Sequence, residues 1–162
     1  MKESTREQID RIFELNAEKK RQDQKARAEK ELRDAAFVLE FIECGEFIIK
    51  PAMEAIADYA RAKGLESRIE SSERGTNSGW NSAAPEYSIR FILGENQFGP
   101  EYQQPYVRIV CDQQAHKAVF HESTIGPGRG GQSGQTGSIP VEEISEDLIH
   151  SRILRVLAEI MQ

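Results

Sequence analysis

The stretch from Glu86 to Thr124 contains separate runs in which every second side chain is apolar, joined by segments without this pattern. Three runs of this kind occupy 87–93, 106–111 and 117–121. Alternation with a period of two is the pattern of a strand with one covered face, so the stretch predicts an antiparallel meander. If Gln113 and Gln114 form a tight turn, three cross-strand pairs follow: Val107 with Phe120, Ile109 with Ala118, and Cys111 with His116. The less apolar segment 65–74 predicts a first strand at an edge of the sheet.

The N-terminal quarter of the chain has a helical pattern instead. Residues 5–44 contain no Gly or Pro and are rich in Glu, Lys, Arg, Ala, Gln and Leu, which predicts one long helix. Two apolar stripes follow this helix. The first is a seam with four- and three-residue spacing, formed by Ala28, Leu32, Ala35, Leu39 and Ile42, and the second comprises Phe37, Phe41, Cys44 and Ile48. Two stripes on one short segment predict two partners for packing, the rest of the chain and a second copy.

Two further helices complete the predicted secondary structure. Gly45 is expected to interrupt the first helix, Pro51 to lie in the first turn of the next, and Gly64 to end it. Ser145 is expected to cap a C-terminal helix. The fold class is therefore α+β: a two-layer domain in which helices pack on an antiparallel four-stranded meander, with a long N-terminal helical arm. We assign 1–44 to the arm, which mediates oligomerisation, and 45–162 to the α+β domain.

Composition narrows the functional classes. The chain has 162 residues and a net charge of −6, an acidic balance that argues against broad binding to nucleic acid or anionic membranes. There is no long apolar run and no apolar core of a signal peptide near the N-terminus, so we expect no membrane association and a cytoplasmic location. Cys44 and Cys111 lie in apolar contexts, which predicts buried, reduced thiols.

A basic run lies within the predicted arm. Residues 19–33 include seven basic and three acidic side chains, a local net charge of +4. Such a helix either contacts phosphates or presents a solvated face. The interleaved acids and the lack of aromatic residues favour the solvated face, so nucleic acid is kept only as an alternative partner.

The glycine-rich stretch 126–137 has two interpretations. It follows a strand and contains Gly128, Arg129, Gly130 and Gly131, whose backbone amides and guanidinium suit a small anionic ligand or nucleotide. It also lacks the Gly-Lys-Ser/Thr ending and the acidic residue of nucleotide-binding motifs, which favours a mobile linker.

Aromatic residues in two loops are candidates for binding a protein partner. Trp80 lies among Asn, Ser and Gly, where it either caps the core or serves as a binding anchor. Phe98 and Tyr102 lie in a long connection after the run 87–93.

No catalytic or metal-binding constellation emerges from the pattern. Cys111 and His116 would share a sheet face, but a metal needs more ligands than this pair supplies. We therefore expect neither catalytic residues nor a cofactor. The sequence predicts a non-catalytic homo-oligomer that assembles through Leu32, Ala35, Leu39 and Ile42 and binds a protein partner as an adaptor, the alternative being a ligand-binding protein.

Overall fold

The computed structural model describes residues 1–72, 87–94, 104–126 and 130–162. Helix α1 (Glu3–Cys44) leads through a π-helical turn (Gly45–Ile49) into α2 (Lys50–Ala62). The strands are β1 (Ser67–Ser72), β2 (Ser88–Leu93), β3 (Tyr106–Asp112), β4 (Lys117–Ser123) and β5 (Ser133–Ile139). A short 3-10 turn (Val141–Glu143) precedes α3 (Glu146–Ile160). The chain divides into two compact units, Met1–Ala36 and Phe37–Gln162.

The predicted α+β class with a long N-terminal helix is confirmed. The predicted strand count of four is wrong, because the described residues form an antiparallel sheet of five strands in the order β1-β2-β3-β4-β5. The additional strand, β5, lies largely within the second half of the stretch whose glycine content favours a linker. It pairs with β4, with Glu122 opposite Gly134 and Phe120 opposite Gly137.

The predicted strand faces are confirmed, but the predicted register between β3 and β4 is wrong by two residues. Ile109 pairs with Phe120 and Cys111 with Ala118. The cause is the turn, which contains four residues rather than two. The carboxylate of Asp112 accepts hydrogen bonds from the backbone N–H of Gln114 and of Ala115, both at 3.1 Å. His116 completes the turn with a left-handed backbone (φ 53°).

Gly45 interrupts the first α-helix as predicted, but the chain stays helical beyond it. The chain passes through the π-helical turn, in which each turn holds one more residue than an α-helical turn. Cys44 and Ile49 are five residues apart, yet both belong to the same core cluster. A Cβ atom on Gly45 would lie 2.7 Å from Cδ1 of Ile89, so glycine here permits close packing against β2.

Helix boundaries elsewhere follow the predicted signals. Pro51 lies in the first turn of α2. Gly64 has φ +86° after that helix ends, and the N–H of Leu65 donates to the carbonyl of Ala60 as in a Schellman motif. Ser145 caps α3 by accepting a hydrogen bond from the N–H of Leu148 at 3.2 Å.

One core occupies the unit 37–162. It combines the end of α1, the π-helical turn, α2, α3 and one face of the sheet, and its largest fully buried members include Phe41, Phe91, Phe120, Ile149 and Ile153. The opposite sheet face carries Arg68, Glu70 and Arg90 beside the buried Ile92 and Val110. No helix in the described part of the chain is both long and apolar enough to cross a membrane.

Candidate functional site

The two predicted stripes of α1 have different fates within one chain. Phe37, Phe41 and Cys44 are buried in the core of the unit 37–162. Along the seam, by contrast, Leu32 is 71% exposed and Leu39 is 67% exposed. Ala28 and Ala35 are also exposed, and Ile42 is half-buried. The seam therefore presents apolar side chains that a single copy leaves in contact with water.

Charge along α1 changes sign next to this seam. Residues 19–33, all exposed, carry seven basic and three acidic side chains, for a net charge of +4. Residues 34–48, which comprise the end of α1 and four residues of the π-helical turn, carry four acidic side chains (Asp34, Glu40, Glu43, Glu46) and no Lys or Arg, for a net charge of −4. Contact of the basic run with nucleic acid stays a prediction.

A cleft of about 340 Å³ lies in the unit 37–162 between α3 and the ends of β4 and β5. Its walls combine hydroxyl groups, amides and charged side chains. The lining residues are Glu122, Thr124, Gln132, Ser133, Gly134, Gln135, Thr136, Arg155, Val156 and Glu159. Polar groups converging on a concave surface are typical of small-molecule sites.

A buried carboxylate is the main charged group of the cleft. Glu122 lies on the core-facing side of β4 and is only 5% exposed. Its Oε2 accepts a hydrogen bond from Nη2 of Arg155 and lies 3.7 Å from Nη1 of Arg152. Its Oε1 is buried and has no hydrogen-bond partner within the described chain. Buried carboxylate oxygens are normally paired, so this atom is an acceptor suited to a donor entering from the cleft.

Glycines in β5 create the space for this arrangement. Gly137 lies opposite Phe120, and a Cβ atom there would approach Nη2 of Arg152 to 3.2 Å. The guanidinium of Arg152 lies 4.9 Å from the centroid of the Phe120 ring, a cation–π distance. Gly134 lies opposite Glu122, and a Cβ atom there would meet no atom within 4 Å. The absence of side chains at these two positions leaves room for Arg152 and for the cleft.

The structure describes only two of the predicted ligand residues 128–131, Gly130 and Gly131, and an anion site there stays a prediction. Gly128 and Arg129 lie outside the described residues. Gly130 is exposed, and a Cβ atom there would meet open space. A Cβ atom on Gly131 would lie 2.7 Å from Oγ1 of Thr124 and 2.8 Å from the backbone N of Ile125, so Gly131 allows the chain to approach itself closely.

The predicted partner-binding aromatics Trp80, Phe98 and Tyr102 all lie outside the described residues, and their role stays a prediction.

The structure does not place Cys111 opposite His116. Cys111 pairs with Ala118, while the His116 ring stacks on Phe37 with centroids 5.2 Å apart. Burial raises the pKa of the Cys44 thiol to about 11 and that of Cys111 to about 12. Within the described ranges no three His, Cys, Asp or Glu side chains are grouped to hold a metal.

No family model matches this chain. Searches of curated proteins and of solved structures likewise return no significant match.

The sequence interpretation missed the Glu122 cluster. Two signals were present: a glutamate at a core-facing position of an otherwise apolar strand, and Arg152 and Arg155 three residues apart on an apolar helix. A charge at a core-facing position needs a charged partner, and arginines spaced by one turn are the partners that α3 supplies.

Proposed function

We propose that this protein is a non-catalytic interaction module that self-associates through the seam of α1 and binds a protein partner. The observation that supports self-association is the exposure of Leu32 and Leu39 at helical spacing on a face that the core of the chain does not cover. The charge reversal along the same helix supports a second copy as the occupant, because each copy supplies both signs.

The expected affinity follows from the size of the seam. Burial of a leucine side chain contributes about 1.5–3 kcal/mol, so four leucines in a pair contribute roughly 6–12 kcal/mol. Loss of translational and rotational freedom opposes association by roughly 4–15 kcal/mol. Because the leucine contribution is of the same order as this cost, we expect a reversible pair whose stability also depends on the charged flanks.

The test removes the apolar seam without changing net charge. Leu32→Ser combined with Leu39→Ser should shift the protein to the monomer in light scattering after size exclusion, with the folded domain retained by circular dichroism. The matched control is Leu154→Ser with Tyr59→Ser, which removes two exposed apolar side chains from α3 and α2. A wild-type protein that is monomeric throughout, or a seam variant that associates as wild type does, would contradict the proposal.

The cleft beside Glu122 favours a second candidate function, the binding of a small polar ligand. Glu122, Glu159 and Arg155 line the cleft, and Arg152 lies outside the lining but 3.7 Å from Glu122. The two acidic and two basic side chains balance in charge, so the cleft suits an uncharged ligand with hydroxyl or amide groups. Such a ligand donates to Oε1 of Glu122 and to the hydroxyl oxygens of Thr124 and Thr136, whose protons are directed to the carbonyls of Gln132 and Phe120, and it accepts from the hydroxyl group of Ser133.

Amide chemical shifts test this second candidate. We expect monosaccharides or nucleosides, titrated into the wild-type protein, to shift the amide signals of 132–136 and of Thr124. Thr136→Val keeps the shape of a cleft residue and removes its hydroxyl, and should weaken the response. Shifts confined to other regions, or no shifts with either class of compound, would exclude the cleft as a site for these ligands.

A further inference from the structure

We propose that two copies of the chain pair along α1 in antiparallel orientation, with the twofold axis between Arg33 and Asp34. This inference rests on the proposed self-association and specifies its geometry. Residues whose numbers add to 67 then lie side by side across the axis, so residues 19–33 of each copy run along residues 34–48 of the other.

Charge is the first argument for this orientation. In the antiparallel pair a segment of net charge +4 lies beside one of −4, and twofold symmetry produces this match twice. In a parallel pair the basic segments lie beside each other, as do the acidic ones. Complementary flanking charges are a general determinant of helix orientation, because juxtaposed like charges disfavour the wrong arrangement. The sign changes between Arg33 and Asp34, which locates the axis.

Side-chain size is the second argument, and it selects the same axis. The seam alternates alanine and leucine from Ala28 to Leu39. In the antiparallel register Leu32 faces the partner's Ala35 and Leu39 faces the partner's Ala28, so each layer combines one large and one small side chain. A parallel pair in register places leucine on leucine and alanine on alanine. Its layers then alternate in width, and the alanine layers leave space that costs packing energy.

Distances between spin labels distinguish the two orientations. Gln22→Cys and Ala36→Cys place labels on exposed positions of α1 and leave the seam and every charged residue unchanged. Position 22 lies about 11.5 residues from the twofold axis. In the antiparallel pair the two labels there are therefore about 23 residues apart along the helices, or about 35 Å. The labels at position 36 are separated by only about 8 Å along the helices.

Labelling is confined to the engineered cysteine. The native thiols of Cys44 and Cys111 are buried, and their pKa values of about 11 and 12 leave little thiolate at pH 7. Wild-type protein treated with the same reagent serves as the control.

The expected result is a distance near 35 Å at position 22, by pulsed electron paramagnetic resonance, together with strong spin–spin broadening at position 36. A dimer by light scattering that shows broadening at both positions is parallel. It would overturn the antiparallel geometry and leave self-association intact. A protein that is monomeric by light scattering and shows no distance between copies would overturn both.

Salt dependence gives an independent result on the unmodified protein. Opposite charges attract less strongly when screened, so the antiparallel pair should dissociate several-fold more readily at about 0.5 M than at about 0.05 M salt. A parallel pair would behave in the opposite way, because screening relieves its like-charge repulsion. Dissociation constants from sedimentation that fall with added salt would therefore contradict the antiparallel pair.

Discussion

At the scale of single residues, a cluster of charged side chains on the sheet joins strands β1 and β2. Glu70 on β1 lies directly opposite Arg90 on β2, with its Oε2 at 2.7 Å from Nη2 of Arg90 and its Oε1 at 2.8 Å from Nε of Arg68. The hydrogen bond from Arg90 is the largest cause of a lowered pKa at Glu70, and the bond from Arg68 acts in the same direction. Cross-strand pairs of this kind depend on the register between two strands. The alternating pattern within a single strand does not specify that register.

Glu70→Gln tests the contribution of this cluster through pH. The folded pKa of Glu70 lies below its ordinary value of 4.5, so its contribution is present above about pH 4.5 and is lost as the pH falls through the folded pKa. The variant should unfold at lower denaturant concentration than wild type at pH 7, by about 0.2–1 kcal/mol, the range of exposed ion pairs. The difference should shrink in acid.

The matched control for Glu70→Gln is Glu54→Gln, which removes one exposed negative charge from α2. If both variants differed from wild type equally at every pH, the specific pairing of Glu70 with Arg90 would be refuted.

At the scale of elements, the sequence predicts those that carry their own periodicity. Helices α1, α2 and α3 and strands β2 to β4 show it. Strand β5 does not, because its sequence SGQTGSI has glycine at two core-facing positions, and its other positions are mostly exposed at the edge of the sheet. The cleft was missed with β5, since it depends on those glycines. The π-helical turn was missed because a glycine after a helical run has the same local signal as a helix end.

Gly45→Ala tests whether this glycine is required for packing against β2. Alanine gains up to about 1 kcal/mol of helix propensity, but its Cβ collides with Cδ1 of Ile89, and overpacking costs about 1–3 kcal/mol. We expect a net loss in the free energy of unfolding. Ile89→Val removes the colliding atom, so the double variant should be more stable than the sum of the two single effects predicts, by at least about 0.5 kcal/mol.

The control cycle combines Gly45→Ala with Ile139→Val on β5, because Ile139 has no atom within 4 Å of the added Cβ position and strands β3 and β4 separate it from Ile89. Its effects should add. If the effects of Gly45→Ala and Ile89→Val on the free energy of unfolding simply added, the collision between the new Cβ atom and Ile89 would be refuted.

Gly130 and Gly131, which precede β5, allow a test of whether this segment packs closely against Thr124 and Ile125. Gly131→Ala places a Cβ atom within 2.8 Å of the backbone of Thr124 and Ile125, which cannot move as freely as a side chain. It should lower the free energy of unfolding by about 1–3 kcal/mol. Gly130→Ala is the matched control and should have little effect, because its Cβ atom meets open space. Equal effects in chemical denaturation would contradict this account.

At the scale of the whole molecule, the central feature is that α1 has two apolar stripes and the core covers one of them. The sequence predicts this division, because the spacing separates Leu32 and Leu39 from Phe37 and Phe41 by about half a helical turn. It does not predict which stripe packs inside, since both are apolar. The larger aromatic side chains lie in the core, and the smaller Leu and Ala side chains of the seam remain exposed.

The most direct test of self-association is the mass of the wild-type protein in solution, measured by light scattering or sedimentation over a dilution series. The chain has a mass of 18.3 kDa, so two copies have twice that mass, 36.6 kDa. We expect the dimer mass at high concentration and a reversible decline toward the chain mass on dilution. A constant mass of one chain at every concentration would contradict the account.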